Sequence, residues 1–187
     1  MSVLQCFKMP NPVKITGRIS TITNSFVNGI IPVIPPTEED VIEALRILHL
    51  DADDLRCAYC GDVSTEWDHL RPLVKDKLPT GYISEIANLV PACGKCNQSK
   101  GNKLWREWIF SDAKLSPKTK KVIDLNERVA RLETYEQWRD VQQIDFAELV
   151  GEDKWSVYWD SLQTVVNAMR DSQLLADEIK DIISSRK

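Results

Sequence analysis

The chain has 187 residues, of which 43% are apolar, and a formal net charge of −4 at pH 7. That length suits one domain, or a small catalytic module with helical additions, around a substantial core. No run of eighteen apolar residues occurs, and residues 1–6 lack the pattern of an export signal, which argues against a membrane protein. We expect a soluble, cytoplasmic protein with no membrane partner.

The charge is unevenly distributed along the chain. Residues 1–68 hold five Lys and Arg against ten Asp and Glu, residues 69–121 hold eleven against four, and residues 122–187 hold eight against fourteen. A basic band on an acidic body concentrates positive potential on one face, as phosphate binding requires. A solvated loop explains four of its members equally well: Lys114, Lys118, Lys120 and Lys121.

The first 52 residues form the first predicted segment, a strand and helix extension. Residues 13–34 are rich in Val, Ile and Thr and contain turn residues, so they predict one or two strands. Thr37, followed by three acids and an apolar stripe at helical spacing, predicts a helix over residues 37–50.

Four cysteines form two close pairs, Cys57-x-x-Cys60 and Cys93-x-x-Cys96. Two such pairs suit a tetrahedral structural Zn²⁺ better than a disulfide framework in a chain of this size. The segment between the pairs is long enough for a hairpin that carries other chemistry. The fifth cysteine, Cys6, is expected to be a small buried hydrophobe.

Asp68 and His69 lie between these pairs, on a strand-like stretch that ends at a proline. A neutral histidine is the side chain whose ordinary pKa suits a general base near pH 7. Asp68 and Asn97 offer the oxygen ligands that Mg²⁺ and Mn²⁺ prefer. The other histidine, His49, ends a predicted helix and is interpreted as structural.

The ordered set of these motifs resembles the zinc-containing branch of the HNH, or ββα-metal, nuclease family, from residue 57 to about residue 108. The set reads Cys57-x-x-Cys60, Asp68-His69-Leu70-x-Pro72, Asn88-Leu89-Val90-Pro91 and Cys93-x-x-Cys96-Asn97-x-x-Lys100-Gly101. The resemblance implies a two-stranded hairpin packed on one helix that runs from Asn97 through Trp108. It also implies that His69 is the general base, that Asp68 and Asn97 hold Mg²⁺ or Mn²⁺, and that Asn88 fixes the hairpin loop and the orientation of His69.

Basic residues near these motifs are candidates for contacts to the DNA backbone, namely Arg71, Lys100, Lys103 and Arg106. An exposed helix surface explains Lys103 and Arg106 equally well. For base readout the chain offers Lys14, Arg18 and the loop over residues 71–81, none of which carries a recognisable code.

From residue 118 onward the apolar periodicity is helical, with a break at Gly151 before the longest helix. We therefore predict an α+β fold in which a zinc-stapled ββα-metal module, residues 53–112, follows the N-terminal segment. A helical region over residues 113–187 completes the chain and is the expected site of packing or homodimerisation.

The function this organisation favours is a metal-dependent HNH endonuclease that cuts double-stranded DNA to 5′-phosphate and 3′-hydroxyl ends. A stand-alone chain with compact additions is typical of a type II restriction or other phage-defence enzyme. The alternative is a non-catalytic, zinc-dependent module that binds DNA or a protein. A nuclease acting on RNA is a weaker third interpretation.

Overall fold

The structure, a computed structural model, describes residues 3–186 and divides the chain into two compact units. One unit combines the residues up to 26 with those from 150 onward, and the other comprises residues 27–149. All the metal-binding and nuclease motifs of the sequence lie in the second unit.

The fold is α+β, as predicted, with short strands among many helices. The α-helices are α1 (Ile19–Gly29), α2 (Glu38–Leu48), α3 (Gly94–Lys100), α4 (Trp105–Ile109), α5 (Leu125–Glu136), α6 (Phe146–Val150) and α7 (Glu152–Ser184). The strands are β1 (Glu66–His69), β2 (Val74–Lys75), β3 (Leu78–Pro79) and β4 (Leu89–Ala92). Short 3-10 helices occur at Val3–Cys6, Ile15–Arg18 and Ile86–Asn88.

The predicted strands over residues 13–34 are wrong, because this region is mostly helical. A 3-10 helix over Ile15–Arg18 leads directly into α1. The apolar residues Ile19, Ile22 and Phe26 of α1 recur at the spacing of one helix face. The ring centroid of Phe26 lies 5.4 Å from that of Tyr158 in α7. Packing of this face outweighs the β preference of the branched side chains.

The long helix α7 holds the first unit together. Gln173 Oε1 accepts a hydrogen bond of 2.6 Å from the backbone N–H of Ile15, and the Tyr158 hydroxyl donates to the Phe26 carbonyl at 2.8 Å. The predicted break before this helix is confirmed, since Gly151 precedes it with a φ of 86°. In the described part of the chain, no helix combines the length and the apolar character that a bilayer crossing requires.

The predicted helix over residues 37–50 is confirmed as α2. Thr37 accepts a hydrogen bond from the Asp40 backbone, and the Asp40 carboxylate accepts one from the Thr37 backbone, which completes a capping box. Helix α2 packs against α5 in the second unit, and its residues Ala44, Ile47 and Leu48 are buried. Helix α2 and the nuclease motifs therefore share one hydrophobic core.

An antiparallel hairpin of β1 and β4 is the centre of the second unit. Asp68 pairs with Val90 and His69 with Leu89, and the smaller hairpin of β2 and β3 lies between the two strands in sequence. Helix α3 packs on β1, so this part of the fold is the predicted hairpin with a helix on it.

The single helix predicted from Asn97 through Trp108 is instead two short helices. Helix α3 ends at Lys100, and Gly101 follows with φ 54° and ψ −128°, a conformation that favours glycine. Helix α4 begins at Trp105 and buries Trp105, Trp108 and Ile109. The turn lets the second tryptophan meet Tyr59 edge to face, with ring centroids 5.1 Å apart.

Candidate active site and zinc centre

The four predicted cysteine ligands converge on one point. The sulfur atoms of Cys57, Cys60, Cys93 and Cys96 all lie within 4.8 Å of one another. The Cys60 and Cys93 sulfurs are 3.7 Å apart, close to the ~3.8 Å separation expected of two ligands at tetrahedral Zn–S distances. The donor set therefore fits a structural zinc. Cys6, by contrast, is exposed and not buried as predicted, because it lies in a short N-terminal 3-10 helix.

Two basic side chains from beyond the predicted module support this cysteine cluster. Arg128 of α5 donates from Nη1 to the carbonyls of Cys57 and Ala58 at 3.2 and 3.5 Å. Burial disfavours the charge of Lys120, yet its bond to Asp62 and the nearby Cys60 sulfur raise its pKa overall. Positive charge at this position offsets the thiolates that zinc requires.

Asp68 is buried beneath the hairpin, on the face that meets α3. Its Oδ2 accepts a hydrogen bond of 2.8 Å from the Tyr59 hydroxyl, and its Oδ1 lies 3.1 Å from Lys100 Nζ. Burial raises the pKa of Asp68, while Lys100 and Tyr59 act in the opposite direction. Each carboxylate oxygen already has one donor and retains a lone pair for a second partner.

His69 is half-buried, and its neighbours differ from those of Asp68. Successive strand residues point to opposite faces, and His69 Nε2 lies 3.0 Å from the hydroxyl oxygen of Ser84. Ser84 is itself held by backbone bonds to Pro32 and Ile34. Burial first, and then the charge of Lys100, lower the pKa of His69 to about 4, so the neutral imidazole predominates at pH 7.

Asn88 ties together the loop that follows His69. Its Oδ1 accepts from the backbone N–H of Arg71 at 2.8 Å, and its Nδ2 donates to the carbonyls of Arg71 and Ile83 at 3.1 and 3.3 Å. The Asn88 carbonyl also accepts from the Leu70 N–H at 2.9 Å. Because the residue is fully buried, these bonds fix the backbone on both sides of the hairpin end.

Asn97, in the middle of α3, meets a carboxylate that the sequence motifs did not single out. Its Nδ2 donates to Glu66 Oε2 at 2.7 Å. Among the described residues, the side-chain hydrogen bonds of Asp68 go to Tyr59 and Lys100, and that of Asn97 goes to Glu66. The predicted general base His69 and the predicted metal ligands Asp68 and Asn97 thus have different hydrogen-bond partners in the protein.

The structure corrects part of the expected DNA interface. Lys100 is fully buried, and its Nζ donates to the carbonyls of His69 and Gly101 as well as to Asp68, so it has no access to a phosphate. Arg71 donates to the Glu136 carbonyl at 3.2 Å, with only 16% of its side chain exposed. Lys103 is exposed on the turn after α3.

Arg106, the fourth expected DNA contact, is half-exposed but already paired. Its guanidinium binds the Glu133 carboxylate, and its Nη2 lies 3.8 Å from Glu136 Oε2. The same guanidinium lies over the Trp105 ring, 4.9 Å from the centroid. These contacts hold Arg106 against α5.

Several residues that shape the site were missed by sequence reasoning. Glu66 could have been found, because a residue two positions before Asp68 shares its face of a strand. No local signal marks Tyr59, Ser84 or Arg128, which reach the site only through the tertiary fold.

Residues 57–103 match a protein-family model described as HNH endonuclease. Together with the four-cysteine cluster and the hairpin on a helix, the match shows that this chain contains an HNH endonuclease domain.

One relative is the CRISPR-associated endonuclease Cas9 of Corynebacterium diphtheriae, which is 36% identical to this chain over 67 residues. The aligned region is 34% of this chain and 6% of that protein. The chain thus spans a small fraction of the length of this relative. No solved structure matches.

Proposed function

We propose that this protein is a metal-dependent endonuclease that hydrolyses phosphodiester bonds of double-stranded DNA, leaving 5′-phosphate and 3′-hydroxyl ends. The observation that carries the proposal is the environment of His69 in the HNH domain. The ring is half-buried and neutral, it contacts Ser84, and the residue before it on β1 is the buried Asp68. The relative that shares this region is described as an endonuclease, which supports the same activity.

His69 is the proposed general base. Since its pKa is lowered to about 4, the ring is unprotonated throughout the neutral range, which is the form that a general base requires. In the proposed tautomer Nε2–H donates to the Ser84 hydroxyl oxygen, so Nδ1 is unprotonated and is the nitrogen that takes a proton from the attacking water. Asn88 holds the loop after His69 and so keeps the ring at the end of the hairpin.

Asp68 and Asn97 are the proposed protein ligands of a catalytic Mg²⁺ or Mn²⁺. Their carboxylate and amide oxygens suit these hard cations, and both side chains belong to the layer between β1 and α3. When bound, such an ion supplies charge neutralisation at the phosphoryl oxygens and at the leaving 3′ oxygen. The four cysteines would hold a separate structural zinc, which has no open position for hydrolysis.

A role in restriction or another form of phage defence fits the compact elements that surround the module, and two-strand cleavage suits a homodimer. The second half of α7 carries exposed apolar residues that a twofold partner would cover: Leu174, Leu175, Ile179, Ile182 and Ile183. Light scattering at micromolar concentration, with and without DNA, checks this; a monomer in both conditions would remove the dimer from the proposal.

A second candidate function is a non-catalytic zinc module that binds DNA or protein. The buried ion pair of Asp68 and Lys100 favours it, because a carboxylate neutralised by an ammonium group can be a purely structural feature. Such a module would keep the cysteine cluster and need neither His69 nor Asn97.

Plasmid nicking in Mg²⁺ separates the two functions. His69→Ala should keep its zinc and its fold while the nicking rate falls by about 10²–10⁴-fold, the range for loss of a general base. His49→Asn is the matched control, since His49 is exposed and asparagine tolerates its positive φ of 53°. An equal, residual rate of nicking in His69→Ala and the natural protein would favour the non-catalytic binding module. An RNA substrate digested in parallel tests the choice of nucleic acid.

A further inference from the structure

Glu66 lies at the start of β1 and faces α3, two residues before Asp68. Its Oε2 accepts the 2.7 Å hydrogen bond from Asn97 Nδ2, and the side chain is half-buried. Strand alternation places Glu66 and Asp68 on the same face, so both carboxylates meet the helix that carries Asn97.

The first turn of α3 has room for this carboxylate because residue 94 is glycine. A Cβ atom on Gly94 would lie 2.8 Å from Glu66 Oε1, so a larger residue there would displace the end of the Glu66 side chain from its position. The N–H of Gly94 donates to the hydroxyl of Thr65, the residue before Glu66, at 3.3 Å. Gly94 therefore leaves space for the Glu66 carboxylate in the position where it meets Asn97.

An asparagine amide has a donor end and an acceptor end of nearly equal size, and rotation about its last bond exchanges them. Glu66, as a carboxylate, accepts hydrogen bonds and has none to donate, so it selects the orientation in which Nδ2 faces it. Asn97 Oδ1 is then directed away from Glu66. A hard cation binds amide oxygen and not the NH₂ group, so one of the two orientations is useful to it.

We propose that Glu66 is a positioning residue that sets the Asn97 amide with its oxygen toward the catalytic cation. This inference rests on the proposed function, because Asn97 as a cation ligand is part of that function. Glu66 acts through Asn97 and does not itself ligate the ion. Loss of such a supporting partner weakens metal affinity by about 10–100-fold.

The test is a titration of the zinc-loaded chain with Mn²⁺. The electron paramagnetic resonance signal of the free ion measures how much Mn²⁺ remains unbound. Glu66→Ala should weaken binding by about 10-fold or more, as far as Asn97→Ala does, with the zinc content unchanged. Glu66→Gln can accept from Asn97 Nδ2 through its oxygen or donate to Asn97 Oδ1 through its NH₂, so it allows both amide orientations and should weaken binding by only about threefold, well short of that loss. Glu107→Ala, which removes an exposed carboxylate from α4, is the control for net charge and should bind normally.

Two outcomes would overturn the inference. The first is that Glu66→Ala binds Mn²⁺ as tightly as the natural protein does. The second is that Glu66→Gln loses as much affinity as Glu66→Ala, because Glu66 would then act as a direct ligand or as a source of charge. If Glu66→Ala fails to fold, the Glu66→Gln titration and the Asn97 side-chain NH₂ signals in a ¹H–¹⁵N spectrum decide. Those signals should shift when Glu66 is replaced by Gln, and an unchanged spectrum would count against the contact.

Failure of this inference is distinguishable from failure of the proposed function. If nicking depends on His69 but the affinity for Mn²⁺ does not depend on Glu66, only the positioning role is removed. Binding that depends on Glu66 without any nicking would remove the nuclease function and leave the positioning role intact.

Discussion

Lys100 Nζ and Asp68 Oδ1 are 3.1 Å apart in the interior of the HNH domain, with the two side chains 1% and 5% exposed. The ammonium group also donates to the carbonyls of His69 and Gly101, so it ties the end of β1 to the turn after α3. Lys100, three residues after Asn97, thus stabilises the candidate active site from the interior of the domain.

Replacing Lys100 by methionine should destabilise the protein by about 3–5 kcal/mol, because Asp68 would be left charged and uncompensated in the interior. Urea denaturation measures the change in the free energy of unfolding. Lys103→Met, at an exposed position, should change that free energy by no more than about 0.5 kcal/mol. A small effect of Lys100→Met would show that the pair is not held as described.

Zinc should be essential to the fold of the second unit. Cys93→Ser, or a strong chelator added to the natural protein, should remove the metal and unfold the module, because a structural zinc site contributes about 10 kcal/mol or more of folding free energy. Elemental analysis measures the loss of zinc, and circular dichroism measures the unfolding. Cys6→Ser should alter neither, since Cys6 is exposed and is not one of the four clustered cysteines. A chelated protein with native spectra would contradict the zinc assignment.

Arg128 should stabilise the first cysteine loop from α5. Arg128→Met removes charged hydrogen bonds to the carbonyls of Cys57 and Ala58, and should lower the free energy of unfolding by about 1.5–3 kcal/mol. The control is Arg131→Met in the same helix; its partner Glu127 is 72% exposed, and an ion pair of this kind is worth at most about 0.5 kcal/mol. Chemical denaturation measures the free energy of unfolding of both variants. Equal losses would contradict a stabilising role of Arg128 at the cysteine loop.

Asn88 should be required for the order of the loop after His69. Asn88→Ala leaves the Arg71 N–H and two carbonyls without their partner, at about 1–3 kcal/mol for an unsatisfied buried group. Amide hydrogen exchange should quicken at Leu70 and Arg71, and nicking should slow. Asn102→Ala, exposed in the turn after α3, should leave both unchanged; normal protection in Asn88→Ala would refute the prediction.

The nicking reaction should run with Mg²⁺ or Mn²⁺ and poorly with Ni²⁺ or added Zn²⁺. Asp68 and Asn97 offer only oxygen atoms, whereas an imidazole ligand in place of Asn97 would favour the softer ions. Initial rates in each chloride salt, on protein already loaded with zinc, provide the comparison. Ni²⁺ as the best cofactor would argue against Asn97 as a ligand.

Local patterns were enough to predict the parts of this protein whose chemistry depends on spacing alone. The two C-x-x-C pairs predicted the cysteine cluster, since each short loop brings two thiols together wherever it lies. Thr37 and Asp40 predicted the start of α2 for the same reason, because a capping box is complete within four residues.

Long-range packing determined the rest. Residues 13–34 contain many β-branched side chains, yet contacts such as that between Phe26 and Tyr158, far apart in sequence, make α1 a helix. Charge likewise predicted Lys100 as a surface contact, but the interior of the domain contains a carboxylate that needs a cation.

The residue types and their spacing therefore identified an HNH domain and its four-cysteine cluster, since those depend on a few side chains close together in the chain. The partners of those side chains, Ser84 for His69, Glu66 for Asn97 and Lys100 for Asp68, come from segments whose meeting depends on the packed core. A hydrogen bond across such a distance in sequence leaves no local pattern, and it becomes visible when the chain is folded.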